Sequence, residues 1–144
     1  MKHSLMKTSL YICILFISLL MLYSGFIKVI NVYDFINTLY SYKYIPQQLH
    51  IIIGLCVPIS EILIGLLIWY SPIRNKIIIC YTILIMTFVV LLTIHYGSYM
   101  PNGCGCLGKS KSTTINIFSI LIDLSLILPA YMYSKIMIYL QKNK

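Results

Sequence analysis

Apolar residues in this chain run in long blocks, not in strict alternation and not in a narrow stripe on one helix face. Lys7 and Lys28 bracket a first block with no charge between them, centred on Leu10–Tyr23. A second block starts near Leu49 and ends at Tyr70, with Glu61 as its only charge. A third runs uncharged from Ile77 to about Tyr96, and a fourth from about Ile115 to Tyr133, where Asp123 is the only charge. A bilayer crossing needs roughly 20 mainly apolar residues in helical form, whereas a membrane barrel alternates over about ten. The blocks therefore predict four membrane-spanning helices at about 10–30, 49–70, 77–96 and 115–134. Pro58 is expected to kink the second, because proline removes a helix donor and crowds the preceding turn. Ser112, Thr113 and Thr114 are good N-cap residue types ahead of the fourth. The first block reads as an uncleaved span: it is long for a signal peptide and no Ala-x-Ala-like site follows it.

Composition supports this reading. The chain has 144 residues, of which 60% are hydrophobic and only 10% charged. Soluble domains carry about 25% charged residues. The expectation is an all-α integral membrane four-helix bundle in one domain, residues 1–144, surrounded by lipid. Several tyrosines fall near span ends, as in an interfacial aromatic belt.

The net charge of +8 is spread over the ends of apolar blocks and forms no basic patch, which argues against nucleic acid. Lys2, Lys7, Arg74, Lys76, Lys135, Lys142 and Lys144 would share one side of the membrane. Lys43, Lys109 and Lys111 would share the other, with Lys28 near that edge. The excess places both termini in the cytoplasm and the loop 97–114 outside.

That loop contains Cys104-Gly105-Cys106 among further glycines. The outer side of a membrane is oxidising, so disulfides persist there. A bond between cysteines two residues apart closes a very small ring, which needs a permissive middle residue such as Gly105. A strained, exposed disulfide is a labile and catalytic one. Lys109, Lys111 and the start of the fourth helix would help a thiolate form. A structural pairing and metal ligation are the competing readings. Zinc wants four ligands, and only His95 and His50 are placed to join the pair, so no metal is assigned. Cys13 and Cys80 read as small buried hydrophobes. Cys56, roughly 10 Å down the second helix, is the nearest extra thiol.

Charges inside spans call for a functional hypothesis. Glu61 would lie roughly 18 Å, and Asp123 roughly 12 Å, below the outer starts of their helices. With Lys28 they would form either packing glue or a small cavity beneath the thiols. Such a cavity would relay protons or hold a quinone, since thiol oxidation needs an acceptor for its electrons. His50 and His95 read as interfacial residues. No nucleotide, flavin or haem motif is visible, and quinone is the cofactor class left open.

Ser24-Gly-Phe-Ile-Lys28 resembles the Ser-Gly-x-x-Lys signature of the MauE family, the methylamine utilisation proteins. Asp34-Phe35, Tyr44-Ile-Pro46 and Pro58-Ile-Ser-Glu61 followed by Gly65 are similar to its next segments. Cys104-Gly-Cys-Leu-Gly108 resembles its Cys-Gly-Cys-Phe-Gly motif, with Leu107 in place of the aromatic residue. The family sits within a wider group of DoxX-like four-helix membrane proteins. The resemblance implies a redox-associated protein of the bacterial cytoplasmic membrane that supports maturation of an exported, cysteine-containing partner. Cys104 and Cys106 match the motif as the exchanging pair of a thiol-disulfide oxidoreductase. Lys28 and Glu61 match signature positions, with Gly105, Cys56 and Asp123 as supporting candidates. Expected partners are an exported client or a thioredoxin-like protein, with partner helices or further copies against the lipid-facing surface. Two other classes stay open: a non-catalytic assembly or docking subunit, and a small quinone-binding or transport subunit.

Overall fold

The computed structural model describes residues 2–42, 45–100, 113–115 and 117–142. Helix α1 spans Lys2–Ile30. It stops at Asn31, whose side-chain amide donates to the Ile27 carbonyl at 3.0 Å. That bond competes with continued helix, and the backbone of Asn31 leaves helical values before α2, Val32–Tyr40, begins.

Helix α2 was not expected from the apolar blocks. Phe35, Leu39 and Tyr42 are buried while Tyr33 and Tyr40 are exposed, so it lies as an amphipathic helix across one end of the bundle. The three- and four-residue spacing from Val32 to Tyr42 carries that signal.

Pro46 adopts an extended backbone directly before α3, Gln47–Leu67. The helix continues through Pro58. At the other end of α3, the Arg74 guanidinium donates to the Ile68 carbonyl at 2.9 Å and to that of Trp69 at 3.1 Å. A cation on the last carbonyls of a helix satisfies acceptors that have no partner in the helix. This capped turn delivers α4, Arg74–Ile94.

After α4 the chain turns at Gly97, whose φ of +78° lies in the left-handed region that glycine tolerates best. Strand β1, Tyr99–Met100, then pairs antiparallel with β2, Thr113–Thr114, in the register Tyr99↔Thr114 and Met100↔Thr113. Gly97 and Ile115 extend the ladder: Gly97 N–H donates to Ile115 O at 2.9 Å, and Ile115 N–H to Ser98 O at 3.0 Å. Thr113 and Thr114 thus serve a strand, which suits their β-branched side chains, and do not cap the fourth span as the sequence suggested.

The fourth span is also not one uniform helix over 115–134. It consists of α5, Ile117–Ser125, and α6, Leu128–Lys142, separated at Leu126 and Ile127. Pro129, in the first turn of α6, cannot donate back to the preceding helix. The Tyr81 hydroxyl donates to the Leu126 carbonyl at 2.6 Å, which satisfies an acceptor at the break.

Four helical segments, Thr8–Ile30, Gln47–Leu67, Arg74–Ile94 and Ile117–Leu140, are long and apolar enough to cross a membrane. Large apolar side chains such as Phe16, Ile52, Leu63 and Ile83 are exposed around the outside of the bundle. This is the surface of a multi-pass membrane protein, where lipid takes the place of water.

The α1–α3 contact is close. Ser18 donates to the Gly65 carbonyl at 2.7 Å. A Cβ on Gly25 would sit 2.7 Å from Ile62 Cγ1 and 2.9 Å from the Pro58 carbonyl oxygen. Small residues permit this approach, which dispersion then stabilises. One core cluster, including Ile14, Ile17, Ile64, Ile68, Tyr81 and Tyr133, fills the end that holds both termini. A second, built from Phe35, Leu39, Tyr42, Leu92 and Ile115, fills the end beneath the ladder.

Candidate functional site

Polar groups enter the bundle from facing helices. Ser24 and Lys28 are four residues apart on α1, so both point to one side of that helix. Glu61 faces them from α3. The Lys28 ammonium donates to Glu61 Oε1 at 2.5 Å and to Ser24 Oγ at 2.8 Å. Ser24 Oγ donates to Glu61 Oε2 at 3.2 Å, which closes a ring of three residues. All three are at most 1% exposed. The Phe88 ring centre lies 5.1 Å, and that of Phe35 5.5 Å, from the ammonium nitrogen. The cation is therefore held by a carboxylate, a hydroxyl and two aromatic faces. A charge inside a span tolerates low dielectric only with partners of this kind.

The sequence offered Lys28 and Glu61 as candidates, and the fold brings them together with Ser24. Phe88 was not singled out, because one phenylalanine inside an apolar run carries no distinguishing signal. Asp123 is buried on α5 and interacts electrostatically with Tyr81 of α4. Cys56 is exposed on the outer surface of α3 and does not join the buried cluster. Cys13 is only half-buried and Cys80 is exposed, against the expectation that both pack inside. A helix apolar on all sides has no polar face to keep such residues inward. Cys104, Gly105 and Cys106 lie outside the described residues, as do Lys43, Lys109 and Lys111.

His50 and His95 sit at helix ends, and both are buried. His50 Nδ1 is 3.2 Å from Gln47 O, and His95 Nδ1 is 2.9 Å from Leu91 O. A carbonyl can only accept, so in each ring Nδ1 carries the proton. The rings pack on tyrosines. The Tyr40 and His50 centres are 4.4 Å apart, and the Tyr42 and His95 centres are 4.8 Å apart, edge to face. Among the described residues no group of three or more His, Cys, Asp or Glu is placed to hold a metal.

A half-open cleft of about 430 Å³ lies between α2, α3 and α4. Phe35, Ile53, Val57, Cys80, Leu84 and Phe88 form most of its wall. Phe35 and Phe88 are the two rings that flank the Lys28 ammonium, so they separate the ion pair from the cleft.

Comparison with known proteins adds one finding to this geometry. The family model described as Methylamine utilisation protein MauE matches residues 6–134. No curated protein and no solved structure matches the chain.

Proposed function

Since the chain belongs to the MauE family, we propose that it is an integral membrane thiol-disulfide redox protein that matures an exported, cysteine-containing partner. Cys104 and Cys106 form the exchanging pair. The observation that carries the reading is the attachment of their segment. The short ladder that pairs Met100 with Thr113 gathers its two ends beside each other, at one end of a bundle sized to span a membrane. On the positive-inside reading of the basic residues this end faces outward from the membrane, where disulfides persist.

A client thiolate attacks one sulfur of the Cys104–Cys106 bond, and the other sulfur leaves as a thiolate. A second client thiolate then attacks the mixed disulfide. The client gains one disulfide, and Cys104 and Cys106 end as two thiols after taking up two protons. Gly105 allows the small ring to close. Lys28, Glu61 and Ser24 act at a distance from this bond, by fixing α1 against α3 and so the base on which the ladder stands. Asp123 has the same supporting part on α5.

The test is the redox state of the pair. The purified protein is equilibrated in a series of thiol redox buffers and alkylated, and each cysteine is read by mass spectrometry. A reversible Cys104–Cys106 disulfide with a potential well above about −300 mV is the expected result. Thiols that stay reduced in every buffer would overturn the proposal, as would a Cys104→Ser, Cys106→Ser variant that still matures its partner. The chain would then be an assembly or docking subunit.

A further inference from the structure

We infer that the groove between the first turn of α4 and the middle of α6 holds the phosphate of an anionic phospholipid from the surrounding bilayer. The groove has a volume of about 200 Å³, and Asn75, Tyr133 and Ser134 form its polar wall. Its free donors decide what it can take. The Tyr133 hydroxyl donates to Asn75 Oδ1 at 2.9 Å, and the Ser134 hydroxyl to the Ala130 carbonyl at 2.9 Å. The first bond turns the Asn75 amide oxygen toward Tyr133 and leaves the Nδ2 hydrogens for an incoming acceptor. Arg74 stands beside this pair. Its guanidinium donates to the carbonyls of Ile68 and Trp69 and hydrogen-bonds the Tyr133 hydroxyl. A guanidinium carries more N–H donors than these acceptors use. Among the described residues no carboxylate neutralises it. The acidic residues of the chain are Asp34, Glu61 and Asp123. Asp34 lies on α2 at the opposite end, Glu61 is bound to Lys28, and Asp123 is buried on α5 and interacts with Tyr81. Two exposed lysines directly follow wall residues, Lys76 after Asn75 and Lys135 after Ser134. Unneutralised cations beside a forked donor set match a phosphate.

The rest of the wall makes that phosphate a lipid's. Ile78, Ile79 and Met137 give it an apolar side, and Ile79 is exposed on the outside of the bundle. Arg74 opens a membrane-crossing segment, so the donors sit at the edge of the bilayer. Ile78 and Ile79 lie one turn deeper, roughly 5 Å toward its centre. Head and tail of a phospholipid follow each other in this order. The groove is half-open and smaller than the roughly 300–1,000 Å³ of sites that enclose a whole small molecule. It therefore takes a headgroup whose tails remain in the bilayer. Free phosphate has nothing to set against the apolar side. A choline or ethanolamine headgroup would bring its own cation against Arg74, Lys76 and Lys135. The occupant is thus a lipid of net negative charge, the kind that basic pockets at a membrane edge select.

The experiment uses the full chain in phosphatidylcholine nanodiscs that hold a trace of phosphatidylglycerol with a diazirine near the glycerol end of one acyl chain. After irradiation the labelled residues are mapped by mass spectrometry. Label concentrated on residues 75–79 and 133–138 is the expected result. Unlabelled phosphatidylglycerol should lower it at least ten-fold, and added phosphatidylcholine or inorganic phosphate less than two-fold. Label spread evenly over the four spans overturns the assignment, as does equal displacement by both lipids. Displacement by inorganic phosphate would make the occupant a free anion and overturns it as well. Asn75→Asp keeps an acceptor for the Tyr133 hydroxyl and puts a carboxylate in place of the Nδ2 donors. It should lower the label at least ten-fold. Gln48→Glu makes the same charge change on an exposed residue of α3 at the other end of the bundle and should leave the label within two-fold. Ile138→Trp fills the groove from an exposed wall position without touching the Tyr133–Asn75 bond, and should act like Asn75→Asp. Label within two-fold of the parent in both groove variants overturns the inference.

Discussion

The Lys28 ammonium and the Glu61 carboxylate meet at 2.5 Å across the α1–α3 contact, and neither side chain reaches the surface. Such a pair gains little over well-packed apolar residues, because desolvation offsets much of its attraction. Its value is selective: any slip of α1 along α3 strands two opposite charges in hydrocarbon. Breaking a buried pair one partner at a time costs about 3–5 kcal/mol, whereas replacing both can be neutral. Glu61→Gln should therefore be strongly destabilising, and Lys28→Met with Glu61→Leu should recover most of the loss. Reversible unfolding in mixed micelles measures both. Additive losses in the double variant would show that the pair does not act as a unit.

Two glycines of the bundle stand where a Cβ has no room. At Gly25 an added Cβ meets the Pro58 carbonyl oxygen, which is backbone and cannot swing aside. At Gly54 it runs into Ile36 Cγ1, and a β-branched side chain in a helix keeps one preferred χ1 rotamer. Overpacking costs typically about 1–3 kcal/mol. Gly25→Ala and Gly54→Ala should each fall in that range in the same unfolding assay. A neutral Gly25→Ala would contradict the α1–α3 packing described above.

Ser18 links three residues. It donates to the Gly65 carbonyl at 2.7 Å and accepts from the Trp69 indole at 3.0 Å. Ser18→Ala should cost about 1 kcal/mol, the usual net worth of a hydrogen bond. The chain has a single tryptophan, so its emission reports on this contact without interference. The spectrum should shift in Ser18→Ala and stay near that of the parent in Ser18→Thr, which keeps the hydroxyl.

The four spans were legible because lipid imposes one strong rule: a crossing helix must be apolar over its whole length. The same rule hid other features. Apolar residues on every side of α4 leave no periodicity to show which face packs inward, so the cleft and the exposure of Cys80 could not be read from it. Thr113 and Thr114 suit both a cap and a strand, and only the pairing with Tyr99 and Met100 decides between them. Lys28 and Glu61 stood out as charges in apolar blocks. Their mutual contact depends on the register of α1 against α3, which Gly25 and Gly65 set through tertiary packing.

The orientation argued from the basic residues leads to a labelling pattern. In a background without native cysteines, Ser98→Cys should react with a membrane-impermeant maleimide on intact spheroplasts. Ser71→Cys, in the turn before α4, should react only after permeabilisation. The opposite pattern would place the ladder in the cytoplasm and remove the oxidising compartment from the proposed mechanism.

Gly97 offers a lesion confined to the ladder. Its φ of +78° disfavours any residue with a Cβ, yet a Cβ there meets nothing within 4 Å. Gly97→Val therefore introduces backbone strain and no clash. A β-branched residue held in the left-handed region costs about 1–3 kcal/mol. That cost falls on the turn that brings β1 beside β2 and not on the bundle core. The thermal unfolding of the helices should stay close to that of the parent, while the rate of thiol exchange with a dithiol peptide changes several-fold. A variant whose exchange rate matches the parent would show that the ladder does not position the cysteine segment. One that unfolds the helices would show that the turn is part of the bundle's own stability.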